Sequence, residues 1–353
     1  MSVSVRKLIL PADRLPNCPQ ERRARLDAYF DDLLASVRAV PEGWEIDLNW
    51  PSTADYYVDT SVEQGLAWWR AGTHITEIHR QVNHSPRGQL SLNDSWTLYS
   101  WSNWLVERRQ SGRPTEEVVV LHIDDHTDLM TPRLTCSGNG WFNAISGEAF
   151  DLFDPESVRT AILTGAVGVG SFMSPFIHTV RRVHLRHLSQ TAPNGGAQDC
   201  ALVAEPVADT LLNTKDSRPA IKIIRDEATA HHGLRSTSAG QYRYTRQLAR
   251  WLGDLPEAPV LLHVDMDYFN NRYNGDSDWK SKSGRHDPSL PEVLLAIDEL
   301  FKTINETGVA PRIENVTVAL SPGFFPAELW AVSIGRMQEH LTRMGWEIML
   351  PER

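Results

Sequence analysis

Two aspartates and one histidine follow an apolar run near the middle of the chain at alternate positions, Asp124, His126 and Asp128. Alternate side chains of an extended segment point to the same side, so these three groups can converge on one point. Carboxylates combined with an imidazole suit Mn, Fe or Zn better than Ca or Mg. The spacing therefore predicts a metal site of that class.

A second apolar run, residues 259–264, also ends in carboxylates two positions apart, Asp265 and Asp267. One acidic strand end carries little weight, because such residues also serve as helix caps and in solvated turns. Two of them predict a shared centre. Five ligands hold two ions when one carboxylate of each strand bridges, and Asp124 and Asp265 are the expected bridges. His126 and Asp267 would complete one ion's ligands, and Asp128 the other's.

An ion pair of this kind, roughly 3.5 to 4 Å apart, acidifies and orients a water molecule between the metals. The reaction class that such a centre supports is hydrolysis at an sp² carbon or at phosphorus.

The runs that carry the ligands are continuous and rich in β-branched residues, as in central strands buried on both faces. Strands that alternate with helices predict right-handed βαβ units, so we expect an α/β fold, a three-layer sandwich with a mostly parallel central sheet. Ligands of such sheets bind beyond the carboxyl ends of the strands, where both acidic clusters fall. The predicted strands are 44–50, 73–79, 117–124, 182–188, 220–225, 259–265, 316–320 and 346–350, and the predicted helices are 62–70, 93–109, 155–163, 241–252, 291–305 and 327–344.

Length and composition indicate a globular protein with a sizeable core. The 353 residues contain no long Pro/Gly/Ser linker, charge block or repeat, and 41% of them are hydrophobic and 23% charged. We expect one continuous domain, in which residues 1–90, an N-terminal extension with the first strands, pack on a metallohydrolase core of residues 91–353.

Charge, cysteines and hydropathy argue against several partners and compartments. The formal net charge of −10 disfavours general nucleic-acid binding. Three scattered cysteines without zinc-type spacing fit a reducing compartment. No apolar run is long enough for the centre of a signal peptide or for a membrane span. We expect a cytoplasmic protein without a membrane partner. The sequence is compatible with a homo-oligomer and does not decide the oligomeric state.

Eight of the twelve tryptophans precede residue 142. They can pack the core of the N-terminal half, or they can form an aromatic wall for a peptide or another large substrate.

The sequence around both ligand sets resembles the arginase, agmatinase and deacetylase superfamily. Asp-x-His-x-Asp at residues 124–128 with Asp-x-Asp at residues 265–267 matches its ligand pattern, and residues 129–139 resemble the arginase substrate-binding loop, including Ser137-Gly138-Asn139. The resemblance implies an arginase-like three-layer fold with its metals at the carboxyl edge of the sheet. Deacetylases use one zinc and lack the last carboxylate of each motif, so Asp128 and Asp267 imply the branch that hydrolyses guanidines with two Mn²⁺ ions.

The chain departs from arginases at two positions near the ligands. An additional histidine ligand before the first acidic strand is replaced by the segment 93–96, so Asp94 or His84 is the candidate replacement. The proton-shuttling histidine of the family is replaced by Trp141, and His178 or His286 is the candidate for that role.

Two further departures concern the substrate. The glutamate that grips the guanidinium has no counterpart in residues 320–323, and Glu328 is the candidate in its place. Met130 stands where arginases have an asparagine that binds the carboxylate of the free amino acid, so free arginine is a less expected substrate.

These departures, with residues 170–175 and 320–326, resemble a divergent branch that includes peptide arginases, which convert arginine residues of ribosomally made precursor peptides to ornithine and release urea. The resemblance implies an Mn²⁺-dependent hydrolase of linear amidines whose partner is such a peptide. Asp128 would orient the nucleophilic hydroxide, and His178 or another acid would protonate the leaving amine. Ser137 and Asn139 would bind backbone near the target arginine.

Two other functions compete with this hypothesis. One is a small-molecule ureohydrolase that acts on arginine, agmatine or a guanidino acid. The other is a non-catalytic metal- or peptide-binding relative, which Trp141 and the missing glutamate favour. Retention of all five ligands disfavours it, because buried carboxylates without a metal repel one another.

Overall fold

The computed structural model describes residues 8–30, 33–49, 58–86, 88–113, 115–138, 140–225 and 238–350. The strands in these ranges are β1 Leu8–Leu10, β2 Leu34–Val40, β3 Gly43–Asn49, β4 Val82–Ser85, β5 Gly88–Ser91, β6 Glu117–Ile123, β7 Leu134–Ser137, β8 Gly140–Asn143, β9 Ala149–Phe150, β10 Arg182–Leu188, β11 Gln198–Ala208, β12 Ser217–Ile224, β13 Ser238–Thr245, β14 Val260–Asp265 and β15 Ile313–Ala319. The α-helices are α1 Pro19–Phe30, α2 Val62–Trp69, α3 Thr97–Gln110, α4 Pro155–Leu163, α5 Met173–Thr179, α6 Leu248–Trp251, α7 Leu290–Glu306 and α8 Trp330–Arg343.

Twelve strands form one mixed sheet in the order β4-β5-β15-β14-β6-β10-β13-β11-β12-β7-β8-β9. Six consecutive strands of this order, β5, β15, β14, β6, β10 and β13, are parallel to one another, and the remaining pairings are antiparallel. The strands β1, β3 and β2 form a separate antiparallel sheet. The chain is thus a mixed α/β structure whose large sheet is parallel in the middle, as the alternating strands and helices predicted.

Strand β6 shows why the middle of the sheet is buried on both faces. Val118 and Val120 pack in one core cluster with Trp101 of α3, whereas Val119 and Leu121 pack in a second cluster that contains residues of α2, α7 and α8. Successive side chains of a strand point to opposite faces, so helices cover the sheet on both sides.

Two predicted helical faces are confirmed. Leu98, Trp101, Trp104 and Leu105 of α3 are all buried. Helix α7 buries Val293, Ile297, Leu300 and Phe301, and it begins with a capping box between Ser289 and Glu292. The described tryptophans before residue 142 favour core packing over an aromatic wall, since Trp69, Trp96, Trp101 and Trp104 are buried and Trp44, Trp68 and Trp141 are half-buried.

Three predicted elements are wrong. Residues 73–79 are not a strand: the His74 side chain accepts from the backbone of Thr76 and starts a 3-10 helix at Ile75–Arg80. Residues 241–245 of the predicted helix belong to β13, because they pair with both β10 and β11. Residues 346–350 form no strand; the backbone of Ile348 donates instead to the Gln338 side chain of α8.

Among the described residues, no helix combines the length and the apolar character that crossing a membrane requires.

Candidate metal centre

The ends of two neighbouring parallel strands bring the predicted ligands together. Strand β14 pairs with β6, so Asp265 at its end lies beside Asp124, the first residue after β6. Nδ1 of His126 is 2.8 Å from Oδ2 of Asp267 and 3.5 Å from Oδ1 of Asp124. Asp124, His126 and Asp267 therefore offer donor atoms within 4.8 Å of one another.

A second group of donors shares Asp124 with the first. Asp94, Asp124 and Asp265 also offer atoms within 4.8 Å of one another. Asp94 stands in the 3-10 turn that leads into α3 and is buried. Of the two candidates for the replaced histidine, Asp94 lies at the site, whereas His84 lies on β4 against the ring of Tyr99, with the ring centroids 5.4 Å apart.

Both acidic motifs bend in the same way after their strands. The Asp124 carboxylate accepts from the backbone of His126 at 2.6 Å, and the Asp265 carboxylate accepts from the backbone of Asp267 at 3.0 Å. The backbone of Asp125 donates across to Asp267 at 3.1 Å. These local turns, which aspartate side chains favour, aim the second donor of each motif back toward the first.

Backbone strain is concentrated here. Asp128 has a φ of 51° and Ser321 a φ of 45°, a left-handed conformation that residues other than glycine rarely adopt. The Ser321 hydroxyl donates to Oδ2 of Asp265 at 2.5 Å. The fold thus holds Ser321, the partner of Asp265, in a costly conformation beside the donor groups, whereas aspartate at position 128 tolerates it more readily.

Burial disfavours the negatively charged forms of the carboxylates in this cluster. Desolvation, reinforced by the neighbouring carboxylates, raises the pKa of Asp94, Asp124 and Asp265 well above its usual range. Desolvation also raises the pKa of Asp128, to about 7, although His126 opposes the shift. Burial by itself would lower the pKa of His126, but the Asp267 carboxylate raises it to about 10. The charges favour a cation among these groups.

The donor set fits a divalent metal. Oδ1 of Asp94, Oδ2 of Asp124 and Oδ2 of Asp128 are buried and have no hydrogen-bond partner within the described ranges. Buried carboxylate oxygens normally have partners, so three such atoms in one cluster need an explanation. An ion bound to them supplies both the missing contacts and the missing positive charge. The buried aspartates and histidine can therefore hold a metal ion.

Three buried histidines lie under the donors, and the sequence reasoning missed them. His122, His187 and His263 stand at matching positions of β6, β10 and β14. Desolvation lowers the pKa of His187 to about 4 and that of His263 to about 3, so both rings are neutral at neutral pH. The repeated Leu-His-x-Asp, at residues 121–124 and 262–265, was the signal that could have revealed two of them.

The histidine rings fix the backbone that carries the ligands. Nε2 of His122 donates to the His126 carbonyl at 3.0 Å, and Nε2 of His187 donates to the Asp124 carbonyl at 2.9 Å. The other nitrogen of His187 accepts from the Tyr242 hydroxyl at 2.8 Å. Since carbonyl oxygens only accept, these contacts select the tautomer of each ring. His122, Asp124 and His263 also form a third group of donors within 4.8 Å.

The site opens to solvent at His126. Its side chain is 39% exposed, against 1% for Asp124 and Asp267. Nε2 of His126 lies 3.2 Å from Oδ1 of Asn274, and the ring of Phe324 lies 5.2 Å away, edge to face. A ligand would enter past these residues.

The two histidines proposed for proton transfer lie in different surroundings. Nε2 of His178 on α5 donates to the Ala220 carbonyl at 2.8 Å, and the ring packs edge to face with Trp141. His286 lines a cleft that also contains Asn274, and its Nε2 is buried without a partner in the described part of the chain.

The predicted substrate-binding residues lie outside the donor groups. Glu328 forms an ion pair with Arg272. Ser137 is half-buried at the end of β7, and Asn139 lies outside the described residues. Met130 is 48% exposed, and its backbone donates to the Gly170 carbonyl at 2.9 Å.

A scan of the sequence against protein-family models finds no match, and neither does a search of curated proteins. The assignment of the site rests on its geometry and donor chemistry.

Proposed function

We propose that the protein is a binuclear manganese hydrolase that converts arginine residues of a ribosomally made precursor peptide to ornithine and releases urea. Two of the three donor groups that share Asp124 carry the proposal, one with His126 and Asp267 and the other with Asp94 and Asp265. Two groups with one common carboxylate would place two ions close together, as in two-metal hydrolytic sites. The resemblance of the same residues to arginases supplies the guanidine chemistry.

Manganese is the metal that we propose for this donor set. Five carboxylates and one imidazole form an oxygen-rich set, which suits Mn²⁺. Sites that select zinc or copper contain softer ligands. When bound, the two ions would supply an acidified and oriented water and stabilise charge at the reacting carbon.

Several residues of the chain have roles in this proposal. Asp128 lies buried among the donors and would orient the nucleophile, while His126 forms the exposed wall past which the substrate enters. Glu328 already binds a guanidinium, that of Arg272, so a substrate guanidinium bound there would displace Arg272. For protonation of the leaving amine, the cleft position of His286 favours it over His178, whose Nε2 is bound to a carbonyl.

Two observations support a peptide over free arginine. Met130, in the place of the asparagine that binds the free amino acid in arginases, offers no hydrogen-bond donor from its side chain. A cleft with a volume of about 420 Å³ adjoins His126 through Asn274, which contacts His126 and lines the cleft. Such a cleft has room for the residues that flank an arginine in a peptide.

Urea release from arginine-containing peptides tests the proposal. Purified protein supplied with Mn²⁺ should release urea and leave ornithine in the peptide, as measured by a urea assay and by mass spectrometry. Asp124→Asn and Asp265→Asn should abolish release, whereas Asp13→Asn, the same change at an exposed position, should not alter it.

The outcomes separate the competing functions. Equal turnover of free arginine and peptides would indicate a small-molecule ureohydrolase. Metal-loaded protein that releases no urea from any peptide or small guanidine would refute the proposal and indicate a binding protein.

A further inference from the structure

A cleft beside the metal centre is lined by several cationic side chains. It adjoins the exposed edge of His126, because Asn274 contacts His126 and also lines the cleft. Its lining includes the cations Arg246, Arg272, Lys282 and Arg285, and one carboxylate, Asp125. The whole chain has 35 basic and 45 acidic residues, so this local excess of positive charge runs against the overall balance.

Two of the four cations have no carboxylate of their own among the residues that the structure describes. Arg272 pairs with Asp287 and Glu328, and Lys282 pairs with Asp276. Within the described ranges, Arg246 donates only to uncharged oxygens, the side chain of Asn194 and the carbonyl of Gln190. Its guanidinium therefore keeps a full charge to offer a ligand.

Arg285 is the second such cation. Its guanidinium lies 4.9 Å from the centre of the Trp279 ring, and no carboxylate among the described residues is within ion-pair distance of it. Asp287 lies in its electrostatic neighbourhood, but Arg272 and Asn270 bind that carboxylate. The aromatic face orients the guanidinium and leaves its edge donors available.

The one carboxylate of the cleft is already engaged. Oδ1 of Asp125 accepts from the backbone of Gln190 at 2.9 Å and from the Ser189 hydroxyl at 3.2 Å, and Oδ2 lies 3.5 Å from the Asn271 amide nitrogen. These donors offset its charge, so Arg246 and Arg285 are the groups left to meet a ligand.

We propose that this cleft is a specificity subsite that binds a carboxylate of the substrate while its guanidinium lies at the metal centre. Arginine guanidinium groups match a carboxylate through paired N–H donors, which is why we assign this anion. The carboxylate is either the acidic side chain of a residue next to the target arginine or the α-carboxylate of free arginine. The inference rests on the proposed function only in placing the guanidinium of the ligand at the metal centre.

Isothermal titration with paired probes tests the subsite without turnover. Metal-free full-length protein is titrated with acetylated tetrapeptide amides Gly-Arg-Glu-Gly and Gly-Arg-Gln-Gly, and with L-arginine and agmatine, in chloride buffer. An exposed ion pair contributes up to about fivefold in affinity, so the member of a pair that carries the carboxylate should bind about fivefold more tightly. A preference within the peptide pair identifies an acidic side chain as the source, and a preference within the small-molecule pair identifies the α-carboxylate.

Arg246→Gln and Arg285→Gln should each reduce or remove the preference. Arg250→Gln, the same change at an exposed position of α6 outside the cleft, should keep it. Equal binding within both pairs, an undiminished preference in both cleft variants, or tighter binding of a phosphoserine peptide than of the glutamate peptide would overturn the inference.

Turnover with Mn²⁺ separates this inference from the proposed function. A carboxylate preference in binding without urea release would leave the subsite standing and refute the hydrolase. Urea release without any carboxylate preference would support the hydrolase and refute the subsite.

Discussion

Replacing Asp128 by asparagine should have opposite effects on the metal-free and the metal-loaded protein. The change keeps the size of the side chain, and asparagine tolerates the left-handed φ of 51° at this position. It removes one negative charge from a cluster in which Asp94 and Asp124 contact Asp128. Without metal this should stabilise the fold, whereas with metal it would remove a proposed ligand.

The magnitude follows from the pKa of Asp128, which burial, with a smaller contribution from the Asp267 carboxylate, raises from 3.8 to about 7 although His126, Asp124 and Asp94 oppose the shift. Below pH 3.8 the group is protonated in both states, and above pH 7 it is charged in both. Between these values only the folded state holds the proton, so stability falls as pH rises, by at most about 4 kcal/mol in total. Asp128→Asn should therefore stabilise metal-free protein at pH 7.5 and have little effect at pH 4.

Thermal unfolding with and without a chelator measures both effects. For 353 residues the entropy of unfolding is about 0.7 kcal/mol per degree, so 4 kcal/mol raises the melting temperature by about 5 °C. Mn²⁺ at a hundred times its dissociation constant would stabilise the wild type by about 2.7 kcal/mol for each ion bound. The variant should lose most of that gain, because loss of even an outer contact weakens metal binding roughly 10- to 100-fold.

Asp13→Asn is the matched control and should leave both melting temperatures unchanged. The reasoning fails if Asp128→Asn lowers the melting temperature of the metal-free protein at pH 7.5, or if Mn²⁺ stabilises the variant as much as the wild type.

Two further predictions concern single contacts. Ser321→Ala removes the hydroxyl that donates to Asp265 at 2.5 Å, so Mn²⁺ should bind roughly tenfold more weakly. Isothermal titration measures this affinity, and an unchanged value would contradict a role of Ser321 in positioning Asp265. The hydrogen bond from Arg336, with a smaller contribution from His340, lowers the pKa of Asp298 to about 2. This contact therefore stabilises the fold above pH 3.8, and its contribution to stability is lost as the pH falls toward 2. Asp298→Asn should therefore lower the urea midpoint at pH 7 more than at pH 3, and an equal loss at both pH values would refute the linkage.

The proximity of Asp124 and His126 was readable from the sequence because it is local. They lie two residues apart, and the turn that the aspartate favours aims His126 back toward it. The strands that carry them were predictable for the same reason, since a continuous run of buried apolar residues leaves few alternatives.

Elements whose identity depends on neighbours were not predictable in this way. Residues 241–245 are a strand because β10 and β11 supply hydrogen bonds on both sides, and nothing within the segment reveals those partners. The alternation of strands and helices indicated the parallel part of the sheet. It did not indicate the antiparallel strands that extend the sheet at one edge, β11, β12, β7, β8 and β9.

The sequence by itself determined which donor groups exist and that each set follows a buried strand. Only the tertiary structure decided that Asp94 joins them, that three histidines from separate strands lie beneath, and that Arg246 and Arg285 face one cleft. The physical reason is sequence separation: the pairing of β14 with β6 brings together residues about 140 positions apart. Such pairing depends on burial and hydrogen bonding across the whole sheet, which no local pattern encodes.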